Sequence, residues 1–298
     1  MDLQGVRVFP KKFDYYSPKT ISEAIGLIDE LKDAKVLAGG QSLLPMMKLR
    51  LATPAALIDL SNINGELGSI VQDKSSVEIG AMARIAELAK SKAVQKSLPA
   101  LYDASLVIAD TQVRNMGTIG GNLANADPNN DMPVVALALN AKMEVRNKNG
   151  KRLEGADGFF VGPYTTKIAE NELLTKIIFP VEHGRFGSAY SRIERRIGDY
   201  ALAAAATSIK LESSGKVTDA RIAVAGISMN AIRLEAVEKA LIGAKPDQKT
   251  TNEITLKTVK DIDVEDSYYA TASTKRMAVA YAVQKSLDKA YERAKAKK

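Results

Sequence analysis

Two glycine pairs constrain this chain more than any other feature. The first lies in Leu37-Ala38-Gly39-Gly40-Gln41-Ser42-Leu43-Leu44-Pro45 and the second in Thr118-Ile119-Gly120-Gly121-Asn122-Leu123. Paired glycines let a backbone come close to a ligand and turn successive N–H groups toward an anion. Gln41 and Ser42 add side-chain donors, and an amide-rich run continues from Asn122 through Asn125, Asp127, Asn129 and Asn130 to Asp131. Neither segment is a GxGxxG opening a helix in a βαβ unit, and neither is GxxxxGK[ST]. A Rossmann dinucleotide site and a hydrolytic P-loop are both excluded. Two such loops suit a diphosphate held from both sides by backbone amides. For the first segment an ordinary glycine turn reads the same way, and a lone Arg114 beside the second is more often a loop anchor than a phosphate ligand.

The 298 residues include no cysteine, which excludes disulfides, a cysteine nucleophile and cysteine-ligated iron–sulfur clusters from this chain. The single histidine, His183, excludes multi-histidine metal sites and is the only base available to a Ser-His-Asp triad. Redox chemistry here has to come from an organic cofactor or a partner chain. The apolar run Ala201 to Ala206 is far shorter than the roughly 20 residues a membrane span needs. Met1 to Gly5 lacks the character of a signal peptide, so a cytoplasmic protein is expected. Net charge is +7, with Lys289, Arg293, Lys295, Lys297 and Lys298 crowding the end. No aromatic residues interleave with a longer basic stripe, so a solvated helix end is expected rather than a nucleic-acid contact. The charge also suits an acidic partner surface or an anionic cofactor.

Periodicity places the motifs. Thr20 and Glu23 stand at capping-box spacing ahead of Ile21, Ala24, Ile25, Ile28 and Leu31, which predicts a helix. Lys35 to Leu37 reads as a short strand delivered into the first glycine loop, Ala55 to Leu60 as a short strand of a buried sheet, and Ser69 to Gln72 with Val77 to Ile79 as a hairpin about Asp73-Lys74-Ser75. Helices follow from about Arg84 to Lys90 and from Leu98 to Ala109. Thr111 to Asp131 reads as one long ordered loop, of the kind that usually carries function. Pro133 to Leu139 is expected to be helical, and Lys142 to Val145 and Leu173 to Pro180 to be strands. Glu182 to Arg185 marks a boundary. Beyond it a separate α+β unit is expected, with strands Thr207 to Leu211 and Ala220 to Ala225. Its last helix, from about Thr274 to Lys289, is expected to bury Met277, Val279, Ala280 and Val283.

Taken together these segments resemble the FAD-binding medium subunits of the xanthine dehydrogenase and carbon monoxide dehydrogenase family of molybdenum hydroxylases. Ala38 to Pro45 is similar to the family's first FAD loop. Gln112-Val113-Arg114-Asn115 through Thr118 to Asn122, with its spacing to Asp131 and Pro133, is similar to the second. Phe159-Phe160-Val161-Gly162, Glu172-Leu173-Leu174-Thr175, Arg195-Arg196-Ile197-Gly198-Asp199-Tyr200-Ala201, Ala225-Gly226-Ile227 and Arg233 follow in the family's order, so the resemblance spans nearly the whole chain.

The resemblance implies an α+β fold. It consists of a two-subdomain, PCMH-type FAD-binding domain over residues 1–180, divided near 62, and a smaller domain over 185–298 with an antiparallel sheet and helices. It implies that Ala38, Gly39, Gly40, Gln41, Ser42 and Leu43, with Thr118, Ile119, Gly120 and Gly121, bind the FAD pyrophosphate region through backbone amides. Asn122, Asn125 and Asp131 would line the ribityl and adenosine region. Leu173 or Leu174 would pack near the flavin ring or adenine, though a leucine there is equally a core residue. Tyr200 would approach the isoalloxazine, and Arg192 stands where relatives often carry lysine. No catalytic residue is assigned beyond the flavin.

His183 is remote from the first loop, so FAD is expected to bind noncovalently, and the lack of cysteine excludes the extra iron–sulfur insertion of some relatives. The implied function is electron transfer within a heterotrimer. Electrons would come from a small 2Fe-2S subunit beside a large molybdenum-cofactor subunit and leave to an external acceptor. A free-standing flavin oxidoreductase of the same fold is the alternative, and it needs a substrate base, for which Tyr200 and Glu194 are the candidates. A basic nucleic-acid-binding protein is disfavoured by the absence of a groove-reading motif.

Overall fold

The computed structural model describes residues 9–297, so the readings of Met1 to Gly5 and of Lys298 fall outside the described residues. The described residues begin with β1 (Asp14–Tyr16), α1 (Ile21–Glu30), β2 (Ala34–Leu37), α2 (Leu43–Lys48), β3 (Ala56–Asp59) and α3 (Asn64–Leu67). The strands pair in parallel in the order β1-β3-β2. Central β3 is buried along its length, which is why its residues show no polar alternation. Thr20 Oγ1 caps α1 by accepting the Glu23 N–H at 3.1 Å. The Glu23 carboxylate reaches the N–H of Lys19 at 2.7 Å instead of closing a capping box on Thr20.

The middle of the chain adds β4 (Ile70–Gln72), β5 (Ser76–Gly80), α4 (Ile85–Leu88), α5 (Lys92–Ser97), α6 (Pro99–Val107), α7 (Thr111–Met116), α8 (Ile119–Asn125) and α9 (Asp131–Ala138). Strands β6 (Lys142–Asn147), β7 (Gly150–Gly155), β8 (Phe160–Gly162), β9 (Thr165–Thr166) and β10 (Leu173–Pro180) complete it. An antiparallel sheet forms in the order β4-β5-β10-β6-β7. The expected hairpin closes where Asp73 Oδ1 accepts the N–H groups of Ser75 at 2.6 Å and Ser76 at 2.7 Å. The expected long loop from Thr111 to Asp131 is not a loop for most of its length, because it holds α7 and α8. Both helices are capped: Oδ1 of the preceding Asp110 accepts the Val113 N–H at 2.8 Å, and Thr118 Oγ1 accepts that of Gly121 at 3.0 Å.

Past residue 185 come β11 (Phe186–Ile193), β12 (Ala203–Leu211), β13 (Val217–Ala225), β14 (Ile232–Arg233), α10 (Glu235–Leu241), α11 (Gln248–Lys260) and α12 (Ala272–Lys295). They form an antiparallel sheet in that strand order, with α12 across β11 and β12 on one face and α6 and α9 on the other. Period two sorts the side chains. Ala203, Ala205, Ile222 and Val224 enter the core with α12, whereas Ala204, Ala206, Ala223 and Ala225 enter the core of the preceding sheet. This corrects three expectations. The unit is not separate in its packing, since helices from before the boundary cover one of its faces. The strand expected from Thr207 begins at Ala203, inside the alanine run, whose residues are small and apolar because both faces are covered, and the unexpected β11 carries no alternation to announce it. Met277 is exposed, while Val279, Ala280 and Val283 are buried as expected.

The basic C-terminal helix is not simply solvated. Lys289 Nζ and Arg293 Nη1 reach the buried Asp103 of α6 at 2.9 and 2.7 Å.

Candidate functional site

The two glycine loops meet. Gly39 passes so close to the end of α7 that a Cβ there would lie 2.1 Å from the Met116 carbonyl oxygen and 2.7 Å from Gly117 Cα. A Cβ on Gly121 would lie 3.5 Å from that of Ala38. Gln41 Nε2 donates to the Gly39 carbonyl at 3.0 Å and braces the turn. Among the described residues, the N–H groups of Gly39, Gly40, Gln41 and Ser42 donate to no acceptor. Successive amides left free in this way, those of Gly39, Gly40 and Ser42 half-buried, are open to acceptor atoms from outside the chain.

The second loop presents itself differently. Its Ile119 N–H donates to Ala83 O at 3.0 Å and its Gly120 N–H to Ala81 O at 2.9 Å, while the Gly121 N–H is held by the Thr118 hydroxyl. A Cβ on Gly120 would lie 2.5 Å from that of Ala81, so glycine is what lets α8 sit against the end of β5. The expectation that these amides face a diphosphate narrows to the N–H of Thr118. What this loop offers instead is side chains, because Asn122 Oδ1 and Asn125 Nδ2 are buried without a partner. Buried polar atoms are rarely left so. Arg114 is a loop anchor, donating through Nη1 to the carbonyls of Ile108 at 2.8 Å and Ala109 at 2.7 Å.

Asp131 and Arg192 come together, but inside the protein. Arg192 Nη1 lies 3.2 Å from Asp131 Oδ2 and donates to Val107 O at 3.1 Å; Nη2 pairs with Glu194 at 3.0 Å and bonds Asp199 O. The Tyr190 hydroxyl donates to the other oxygen of Asp131. Burial pushes the Asp131 carboxyl up against the pull of Arg192 and Tyr190, and burial likewise pushes the Tyr190 hydroxyl up. The knot joins α6, α9 and β11 to the 194–200 loop.

That loop carries Tyr200, 60% exposed, its hydroxyl pushed up by desolvation and by the carboxylates of Asp127 and Asp131. Tyr164 shares the neighbourhood. Its hydroxyl donates to Asp127 Oδ2 at 3.0 Å and is pushed up to about 12 by desolvation and that carboxylate. The Tyr164 N–H bonds Ala126 O at 2.9 Å, and both residues hold left-handed backbone, φ 54° and 48°. Strain of this kind gathers at functional sites. Sequence reasoning missed Tyr164, whose one signal is an aromatic ring in the turn Gly162-Pro163-Tyr164-Thr165.

Leu173 and Leu174 realise the core alternative. Both are buried, Leu173 with Ile21, Ile25 and Ile58, and Leu174 with the core of the second sheet. Leu43 begins α2, half-buried beside the free amides. His183 lies at the surface, its Nε2 3.0 Å from Lys74 O.

Residues 11–182 match the family described as the FAD binding domain in molybdopterin dehydrogenase. The chain belongs to that family. Residues 188–290 of this flavoprotein match the CO dehydrogenase flavoprotein C-terminal domain. It is 40% identical over 294 residues to the carbon monoxide dehydrogenase medium chain of Afipia carboxidovorans, covering 97% of this chain and 99% of that one. It is 38% identical to the glyceraldehyde dehydrogenase medium chain of Sulfolobus acidocaldarius, covering 86% of this chain and 90% of that one. Its fold superposes with a TM-score of 0.90 and 39% identity on a chain of carbon monoxide dehydrogenase from Hydrogenophaga pseudoflava, a structure lacking the Mo-pyranopterin moiety of the molybdenum cofactor; 96% of this chain and 99% of that one are covered. The site fits the cofactor of the family. Free amides in the first loop suit the FAD diphosphate, and the unpartnered Asn122 and Asn125 suit its polar ribityl and adenosine portion. Among the described residues, no helix is long and apolar enough to cross a membrane.

Proposed function

We propose that this flavoprotein holds FAD noncovalently between its two glycine loops and works in the cytoplasm as the medium subunit of a heterotrimeric molybdenum hydroxylase. The observation that carries the reading is the apposition of the two loops, with the Gly39 to Ser42 amides free beside unpartnered Asn122 and Asn125. When bound, FAD supplies electron exchange between a 2Fe-2S cluster on a small partner chain and an external acceptor, while the molybdenum cofactor sits on a large partner chain. The chain's own residues hold and surround the cofactor. The first loop's amides neutralise the diphosphate, Asn122 and Asn125 orient the polar chain, and Tyr200 and Tyr164 flank the mouth. In this reading residues 1–180 form the FAD-binding domain and 185–298 the smaller domain that brings Tyr200 to it. The oxidised substrate is read by the large chain, which accords with relatives of near-equal identity being named for carbon monoxide and for glyceraldehyde.

A free-standing oxidase is disfavoured by its own requirement for a base. Glu194 is paired with Arg192 at 3.0 Å, and the Tyr200 hydroxyl is pushed up, away from ionisation near neutrality. The test is a visible spectrum after loading with FAD and desalting, with acid precipitation releasing intact FAD to the supernatant. Failure to hold FAD even with both partner chains present would sink the reading.

A further inference from the structure

Helix α8 carries Asn122 and Asn125 and ends on Ala126 in left-handed backbone, φ 48°. A helix that ends this way is usually closed by the N–H groups of the next residues, which turn back onto its last carbonyls. Here they do not. The N–H groups of Ala126 and Asp127 donate to no acceptor among the described residues, and Pro128 has none to donate. Alanine lacks the freedom of glycine in this region, so the exit of α8 is strained as well as open.

Two other segments close it. From the following turn, Asn130 Nδ2 donates to the Asn122 carbonyl at 3.0 Å, and the Asn130 N–H to the Asp127 carbonyl at 2.9 Å. From the turn between β8 and β9, the Tyr164 N–H donates to the Ala126 carbonyl at 2.9 Å and the Tyr164 hydroxyl to Asp127 Oδ2 at 3.0 Å. The other oxygen of Asp127 accepts the Asn129 N–H at 2.9 Å. The Asp127 carboxylate thus joins Tyr164 to the turn that holds Asn122. The β8–β9 turn is itself firmly rooted. Phe159, just before β8, is fully buried and its carbonyl accepts the Lys167 N–H at 2.9 Å, while Asn230 Nδ2 donates to the Phe160 carbonyl at 2.6 Å. Tyr164 is 58% exposed. Its ring adds little to the core, and its main contribution is the pair of bonds to residues 126 and 127.

We infer that Tyr164 is a positioning residue of the cofactor site, fastening the C-terminal end of α8 and so holding Asn122 and Asn125 where the polar portion of FAD needs them. The inference rests on the FAD reading above and adds a residue that serves the cofactor through α8 rather than by touching it.

The test compares the full-length wild type with Tyr164→Phe, which deletes the hydroxyl bond and keeps the ring. In the apo chain, hydrogen exchange of the amides at 122–125 should speed up by about three- to tenfold while the melting temperature barely moves. FAD, titrated by fluorescence, should bind about three- to tenfold more weakly to the variant. In an Asn122→Ala background the same substitution should weaken binding clearly less, because one of the side chains it positions is gone. Unchanged FAD affinity in Tyr164→Phe overturns the inference, and so does unchanged exchange in α8. An equal loss of affinity in both backgrounds also overturns it, since Tyr164 would then act on the cofactor directly. A wild type that holds no FAD removes the cofactor reading itself, an outcome visible before any variant is made.

Discussion

Gly39 and Gly26 are the same residue under opposite constraints. A Cβ on Gly39 would lie 2.1 Å from a carbonyl oxygen, whereas a Cβ on Gly26, in the middle of α1, would meet nothing within 4 Å. Gly39→Ala is therefore expected to push the two loops apart. An overpacking cost of about 1–3 kcal/mol at the site corresponds to FAD affinity weakened by about fivefold to about a hundredfold, read by fluorescence titration. Gly26→Ala is expected to leave FAD affinity alone and to raise stability by about 0.5–1 kcal/mol in urea unfolding, because alanine is the better helix former. Asn122 supplies a second residue-scale test. Its Oδ1 has no partner to lose, so Asn122→Ala should leave the apo protein as stable or slightly more so while weakening FAD binding. A clear loss of apo stability would instead make Asn122 a structural residue. The glycine pairs were legible at this scale because few side-chain choices are so costly to vary. Tyr164 was not, because its left-handed backbone and its bond to Asp127 depend on a contact across 37 positions.

Between elements, the fold depends on a few buried carboxylates whose partly exposed basic partners come from distant stretches of chain. Asp103 on α6 accepts from Lys289 at 2.9 Å, from Arg293 at 2.7 and 2.9 Å, and from the Tyr190 N–H at 3.2 Å, which ties α12 and β11 to the middle of the chain. Asp103→Ala leaves those donors facing a vacancy and should cost about 3 kcal/mol in chemical denaturation. Glu172 supplies the pH test. The Arg152 guanidinium, at 2.7 and 2.6 Å, and the Ala169 N–H hold its carboxyl below the usual range against the effect of burial. A folded value below the unfolded one means that the stabilisation is present at neutral pH and is lost as pH falls through the folded value. The stability gap between wild type and Glu172→Gln should thus be largest near pH 7 and shrink toward pH 3, as urea midpoints across that range will read. A gap independent of pH would exclude the ionised pair as its source. Helices and strands with clear periods, such as α1 and β10, were legible. The segments α7, α8 and β11 were not. Two are short helices specified by caps and by packing, α7 on α4 and α8 on α9 and β10, and β11 is covered on both faces, which removes the alternation that marks a strand.

At the scale of the whole molecule, the boundary near Glu182 divides the sequence more cleanly than it divides the core. One cluster of buried residues runs from Val77 and Ile79 through Val134 and Val145 into Phe186, Tyr190, Ala204, Ala206, Ala223 and Ala225. Arg221 and Arg233, on the far sheet, reach back to Asp157 at 2.8 and 3.2 Å. The glycine loops belong to the first part of the chain, yet α6 and α9 bury one face against β11, β12 and β13. A chain cut at 184 would expose that face to water, an apolar surface of the kind that drives aggregation. Residues 1–184 alone are therefore expected to aggregate or to remain only loosely packed, and to bind FAD far more weakly than the intact chain, although both glycine loops are present. The intact apo chain should unfold through the two sheets of this shared core together, in one calorimetric transition whose enthalpy equals the van't Hoff value. Two resolved transitions, with a 1–184 fragment that is monomeric and binds FAD as the full chain does, would mean that the continuity of the core carries no energetic coupling. In that case the smaller domain would serve only to place Tyr200.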